Sequence, residues 1–208
     1  MAAVLSRLRR HLFEIAARRP GGRLGRLMYG SLARVSSFDT LALEKLQLTG
    51  EDRYLEIGPG GGGLLARALT TAAFGAAVDH SPDMVHLARR RNVAAVTAGL
   101  CEIVCGDAQD LPWRDDAFTA CACVATFLFF ERPVVALREV RRVLAPGGRV
   151  LIITPGEDAP SFLKGLHSAG EGVFLYSTEA FEDLMLKAGF SDFAVGMERG
   201  RLVAVGTV

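Results

Sequence analysis

Apolar residues along this chain recur in short blocks whose spacing alternates between strand-like and helix-like. Tyr54-Leu55-Glu56-Ile57 has strand character, and the glycine loop Gly58-Pro59-Gly60-Gly61-Gly62-Gly63 separates it from LLARALTTA (64–72), which reads as a helix. AAV (76–78) is a second strand ending on Asp79. Ser81-Pro82 then opens a helix over DMVHLARRRN, with Pro82 at a first-turn position that needs no donor. CEIVC (101–105) is a third strand stopped by Gly106-Asp107, and FTACACV (118–124) a fourth, whose unbroken apolar run fits burial on both faces. From Pro133 a helix carries Leu137, Val140 and Leu144 at steps of three and four, with Arg138, Arg141 and Arg142 mostly off that stripe. Pro146-Gly147-Gly148 stops it before a fifth strand, RVLIIT (149–154). Such alternation predicts a parallel sheet covered by helices on both faces.

The end of the chain departs from this rhythm. Ser177 or Thr178 caps a helix whose Phe181, Leu184, Met185 and Ala188 form one stripe, closed by Gly189. FSDFAVG and RLVAVG then flank Met197-Glu198-Arg199 as a β-hairpin, where a dinucleotide-binding Rossmann domain would continue with parallel units. Residues 155–176 have weak periodicity and contain Gly156, Gly165, Gly170 and Gly172, which reads as a lid or binding loop.

At 208 residues, half of them apolar and 23% charged, the chain suffices for one packed domain with some decoration. Its net charge of +1 argues against wholesale nucleic-acid binding, but the charge is unevenly spread. Residues 1–38 hold eight arginines and one acid, Glu14, a net of +7 that leaves −6 on the remainder. We read 1–37 as a basic helical extension or lid and 38–208 as the domain proper. The Arg-rich, amphipathic start lacks a secretory pattern and leaves organelle targeting, peripheral membrane contact or a plain surface helix open. No run reaches the roughly 18 apolar residues that cross a bilayer, and the expectation is a cytoplasmic protein. Cys101, Cys105, Cys121 and Cys123 are spaced C-x3-C and C-x-C, poor matches to zinc pairs. All four sit in apolar strands, where thiols serve as small core residues and no metal is expected.

The glycine loop poses the functional question. Gly58, Gly60 and Gly63 satisfy G-x-G-x-x-G, so the loop could hold a dinucleotide or another adenosine-bearing cofactor. Taken singly, Asp79 and Asp107 are turn acids as readily as ligands. Four ordered segments carry more: LEIGPGGG (55–62), VDHSPDM (78–84), GDAQDLPW (106–113) and RRVLAPGGRVLI (141–152). With these and the terminal hairpin, the chain resembles a class I S-adenosylmethionine-dependent methyltransferase of the small-molecule, UbiE-like group.

That resemblance implies a Rossmann-like α/β three-layer sandwich. Its seven-stranded, mostly parallel sheet has the order 3-2-1-4-5-7-6, with an antiparallel C-terminal hairpin. The two cysteine pairs then lie roughly 14 Å apart, beyond the span of one zinc. S-adenosyl-L-methionine is the implied cofactor. Gly58, Pro59, Gly60 and Gly62 would let the backbone approach it, and Glu56 would meet its ammonium. Asp79 would accept from both ribose hydroxyls. His80 and Met84 would flank the adenine, Asp107 and the Ala108 amide would read its edge, and Val124 would line the methionine part.

Where relatives read N-T-L-Y-F-W after the fourth strand, this chain has Ala125-Thr126-Phe127-Leu128-Phe129-Phe130, and where they have Phe-Asp it has Phe118-Thr119. The expected partner is a small, apolar methyl acceptor such as a lipid, quinone or polyketide-like compound. It would lie against Phe127, Phe129 and Phe130 and be covered by Tyr29 and Tyr176. Alignment of the reactants would supply most of the catalysis; His80 and His167 are the candidates for a base. An NAD(P)-dependent oxidoreductase is opposed by the hairpin and by the lack of a Tyr-x-x-x-Lys pair. A catalytically idle, methyltransferase-like scaffold is the other alternative.

Overall fold

The computed structural model describes residues 37–208; the expected basic extension and Tyr29 lie outside them. Helix α1 (Ser37–Leu46) leads into β1 (Arg53–Ile57), followed by α2 (Gly63–Ala68), β2 (Phe74–Asp79), α3 (Pro82–Arg91), α4 (Val93–Thr97) and β3 (Cys101–Cys105). Then come β4 (Phe118–Val124), a 3-10 turn (Phe127–Phe129), α5 (Pro133–Val143), β5 (Leu144–Thr154) and α6 (Ser161–Ser168). The last elements are α7 (Thr178–Ala188), β6 (Asp192–Glu198) and β7 (Arg201–Thr207). The seven strands form one sheet in the order β3-β2-β1-β4-β5-β7-β6. β1 to β5 run parallel, and β7 is antiparallel to both β5 and β6, as expected from the sequence.

Alternation along the strands separates two apolar layers. Leu55, Ile57, Cys121, Cys123, Val150 and Ile152 face one layer with α5 and α7, through Leu137, Val140, Phe181 and Met185. Tyr54, Ala77, Ala120, Ala122, Leu151 and Ile153 face the other with α1, α2 and α3, through Leu41, Leu65, Val85 and Ala88. β3 and β4 are separated by two strands, so the cysteine pairs are kept apart, and all four thiols are free.

Local signals account for most boundaries. The Ser81 side chain caps α3, accepting from the Met84 amide at 3.4 Å, with Pro82 in the first turn. Ser177 caps α7 in the same way, and left-handed Gly189 ends that helix. The off-stripe arginines of α5 also have a task. Arg138 and Arg141 donate to the carbonyls of Lys187 and Gly189, satisfying the exposed end of α7.

Three helices were not expected from the sequence. α1 buries Leu41, Ala42 and Leu46, α6 buries Leu163 alone, and α4 buries nothing. In addition, the helix expected over 64–72 ends at Ala68, and β5 begins at Leu144, earlier than expected. No helix among the described residues is long and apolar enough to cross a membrane.

One polar cluster ties the N-terminal edge of the sheet. Buried Asp52 accepts from both terminal nitrogens of Arg149 (3.0 and 2.9 Å) and from the Thr119 hydroxyl (2.6 Å). Arg149 also donates to the Leu46 carbonyl, which anchors the end of α1. Thr119, at the position where Asp is common, therefore completes a site whose carboxylate, Asp52, immediately precedes β1. Arg149 holds the Asp52 carboxyl well below the usual range, with Thr119 assisting. A depressed native pKa contributes stability that is full above the ordinary value near pH 3.9 and is lost as pH falls below it. Arg149→Met should cost about 3 kcal/mol at neutral pH by leaving that charge buried and unpaired. In denaturant titrations the deficit should shrink between about pH 4 and pH 2; a constant deficit would show that Arg149 acts through packing alone.

Candidate active site

The C-terminal ends of β1, β2 and β4 border a cleft of about 450 Å³, within the size range of small-molecule sites. Its lining runs from Gly58 through Asp79 and His80 to Asp107 and Ala108, and on to Thr126, Phe129 and Phe130. Parallel strands place their free ends here, and the chain order reverses between β1 and β4, where such folds bind ligands.

The glycine loop enters the cleft lining through Gly58. Gly58, Gly60 and Gly62 all have left-handed backbone (φ 69°, 51° and 74°), whereas Gly63 is simply the first residue of α2. The backbone thus uses the E-x-G-x-G-x-G spacing and not G-x-G-x-x-G. At Gly58 a Cβ would lie 2.3 Å from Thr126 Oγ1, and at Gly62 it would lie 2.9 Å from the Ala88 Cα. The Gly58 amide donates to the Val78 carbonyl at 2.9 Å, joining the loop to the end of β2.

Asp79 is buried at the end of β2 and accepts from the Ser81 amide at 2.9 Å and from the Gly60 amide. Burial nevertheless raises its pKa. His80 is exposed on the rim, with Nδ1 3.7 Å from Asp79 Oδ1. Asp107 is exposed and holds the Gln109 amide and side chain, while Ala108 is buried beside it. The loop carrying them is fixed from below. Arg142 of α5 donates to the Leu111 and Trp113 carbonyls, and Glu139 accepts from the Leu111 amide.

Glu56 is 4% exposed at the end of β1. Burial, followed by the charges of Asp39 and Asp79, pushes its pKa up to about 8; the Leu65 amide and the Tyr54 hydroxyl pull the other way. Among the expected cofactor residues Gly58, Asp79, His80, Asp107 and Ala108 line the cleft, whereas Glu56, Gly60 and Gly62 lie in the adjoining strand end and loop and are not part of its lining. Pro59 is buried within the loop, and half-buried Val124 ends β4.

Other expected site residues are placed differently. Met84 is wholly buried and does not line the cleft. Phe127 is 1% exposed and packs with Phe130, Tyr176 and Phe181, so Phe129 and Phe130 make the cleft wall while Phe127 supports it. Tyr176 is half-buried, its phenol raised to about 12 by desolvation, and sits against Phe127 and Phe181. His167 lies on α6, away from the cleft lining, with Nδ1 2.9 Å from the Val173 carbonyl. Thr126, Gln109 and Glu131 line the cleft and were passed over in the sequence; only their position just after a strand end could have marked them.

The fit to a cofactor rests on charge and shape. The open glycine backbone suits close approach, and the carboxyls of Glu56 and Asp79, both raised by burial, suit a ligand with a cationic group and hydroxyls. Two predictions follow from this geometry. Gly58→Ala should destabilise the fold by at least about 1–2 kcal/mol, from the left-handed backbone and the clash with Thr126; an unchanged melting temperature would contradict it.

The second concerns pH. A carboxyl whose native pKa lies above its unfolded value near 4.3 binds an extra proton when folded. Stability should then fall as pH rises from about 4.3 to 8, by up to about 1.4 kcal/mol per unit. Glu56→Gln should match the native protein at about pH 4 and exceed it at about pH 9, with a residual slope of the same sign from Asp79. Parallel pH–stability curves would refute this.

The methyltransferase domain family model, Methyltransf_11, matches residues 55–152. A demethylmenaquinone methyltransferase from Thermus thermophilus is 35% identical over 179 residues, spanning 73% of this chain and 78% of that enzyme. A fatty-acid O-methyltransferase from Mycolicibacterium smegmatis is 39% identical over 123 residues, 56% of this chain and 43% of the enzyme. The chain spans about half the length of several curated relatives that it matches. A solved S-adenosylmethionine-dependent methyltransferase from Thermotoga maritima superposes with a TM-score of 0.67 at 25% identity, over 86% of this chain and 92% of that one. The sheet order, the glycine loop and these relatives agree: the chain belongs to the S-adenosylmethionine-dependent methyltransferase family.

Proposed function

We propose that this chain transfers a methyl group from S-adenosylmethionine to a small, apolar acceptor, in the cytoplasm. The observation that carries the acceptor class is the wall beyond Thr126, where Phe129 and Phe130 border the cleft and exposed Ala125 stands where relatives offer a polar side chain. Two relatives are named for fatty-acid and demethylmenaquinone substrates, which supports the same class.

When bound, the cofactor supplies a methyl carbon already activated by its sulfonium. The chain then has to hold, orient and exclude water. In this reading Glu56 takes the ammonium and Asp79 the ribose hydroxyls, while Asp107 and the Ala108 amide take the adenine edge. The left-handed turns at Gly58, Gly60 and Gly62 let the loop backbone lie against the cofactor. Phe129 and Phe130 exclude water from the acceptor side. His80, on the rim beside Asp79, is the histidine positioned to take a proton from an acidic acceptor. In this reading His167 takes no part in the transfer, because it lies on α6 outside the cleft lining.

The test is turnover of methyl-labelled cofactor with purified protein and a total metabolite extract. Label should enter the organic phase; label confined to protein or nucleic acid, or no transfer at all, would overturn the reading. Once an acceptor is in hand, Phe129→Ala should raise its KM roughly tenfold or more through lost apolar contact. The affinity for S-adenosylhomocysteine should change less than about twofold. A loss confined to cofactor affinity would remove Phe129 from the acceptor wall.

A further inference from the structure

Three side-chain polar atoms among the described residues are buried without a hydrogen-bond partner: the Tyr54 hydroxyl, Glu56 Oε2 and Thr154 Oγ1. Two of them share a strand. Tyr54 and Glu56 are two residues apart on β1, so they project from the same face, towards the layer under α1. Their neighbours in register are small. Gly75 and Ala120 lie beside Tyr54, and Ala77 and Ala122 beside Glu56. None of these offers a side-chain polar atom, so each of the two groups has the other as its nearest polar neighbour along the strand.

A tyrosine that served only to fill this layer would be better replaced by phenylalanine, which has the same ring and leaves no hydroxyl stranded. The hydroxyl lies near enough to Glu56 to favour its ionised form, although the two are not hydrogen-bonded in this conformation. The other groups acting most strongly on Glu56 are Asp39 from α1, Asp79 from β2 and the Leu65 amide of α2. The thiols of Cys101 on β3 and of Cys121 and Cys123 on β4 also feel its charge. None of these groups is cationic. Among the described residues, a negative charge at Glu56 therefore depends on the Leu65 amide and the Tyr54 hydroxyl, together with whatever cation reaches it.

We propose that Tyr54 is a positioning residue for cofactor capture: its hydroxyl closes onto the Glu56 carboxylate when the cofactor's ammonium draws that carboxyl into its ionised form. The inference rests on the reading of Glu56 as the ammonium partner. The proton balance is simple. In the free protein at neutral pH the Glu56 carboxyl keeps its proton; on binding, that proton passes to solvent, and the carboxylate accepts from the ammonium and from the Tyr54 O–H. Tyr54 itself stays protonated throughout, because burial holds its pKa well above the usual value.

The experiment is calorimetric titration of S-adenosylhomocysteine into the native protein and Tyr54→Phe between pH 6 and 8.5, in buffers of differing ionisation enthalpy. The native protein should gain about tenfold in affinity per pH unit up to about pH 8, then level off, releasing about one proton per site at pH 7. Tyr54→Phe should melt at the same or a higher temperature. It should bind roughly tenfold more weakly at pH 7 and reach its plateau at a higher pH. A variant with unchanged affinity and pH profile overturns the inference and leaves the cofactor reading intact. Weaker binding with a lower melting temperature and an unshifted profile assigns Tyr54 a packing role and also overturns it. A native protein that does not bind S-adenosylhomocysteine defeats both readings.

Discussion

The cleft exists because the backbone at Gly58 and the Thr126 side chain occupy adjoining space that no Cβ could share. This contact brings the turn after β1 against the turn after β4, the two parallel strands between which the strand order reverses. The other placements follow from it. The Gly58 amide reaches Val78 on β2, which sets the loop beside Asp79, and the Thr126 hydroxyl reaches the Gly58 and Val124 carbonyls at 3.3 Å. The left-handed backbone of Ala125 (φ 56°) is the strain this approach requires, and it is held by the Ala125 amide bonding to Ile153 on β5.

A second constraint acts on the opposite edge of the sheet. Parallel strands bring the start of β1, the start of β4 and the middle of β5 together, and Asp52, Thr119 and Arg149 bind one another there. The ion pair fixes the far ends of the strands whose near ends make the cleft. Rigidity at one edge lets the other carry strained turns and unpaired polar atoms. The loop with Asp107 is likewise held by Arg142 of α5, a helix that contributes nothing to the cleft lining itself.

Strands and the glycine loop were readable because their signals are local: continuous apolar runs, a Ser-Pro cap, and glycines spaced for left-handed turns. What escaped is set by distant partners. α1 presents Leu41, Ala42 and Leu46 to β4 and β5, a stripe that has meaning only once the sheet is assembled. α4 buries no residue and α6 only one, so neither carries a periodic imprint. Phe127, Phe129 and Phe130 look equivalent as a string, but the 3-10 turn directs the first into the core and the other two to the cleft. Asp52 and Arg149 are 97 residues apart, and nothing in either neighbourhood announces the pair. Tyr54 looked like one more buried strand residue; its unpartnered hydroxyl is visible only in three dimensions.

The sign of the charge at the loop explains why a pattern that superficially fits a dinucleotide belongs to a different cofactor. A pyrophosphate binding after β1 needs free amides at the start of a substantial helix and no competing anions. Here α2 is six residues long, and its N-terminal Leu65 amide is already directed at Glu56. Asp79 is close by, tied to the same loop through Gly60. Adding a phosphate would increase a repulsion that already raises the Glu56 pKa, whereas adding an ammonium or sulfonium would relieve it. Under the proposed roles the glycines admit any ligand that approaches the backbone closely, and the carboxyls favour one that brings positive charge.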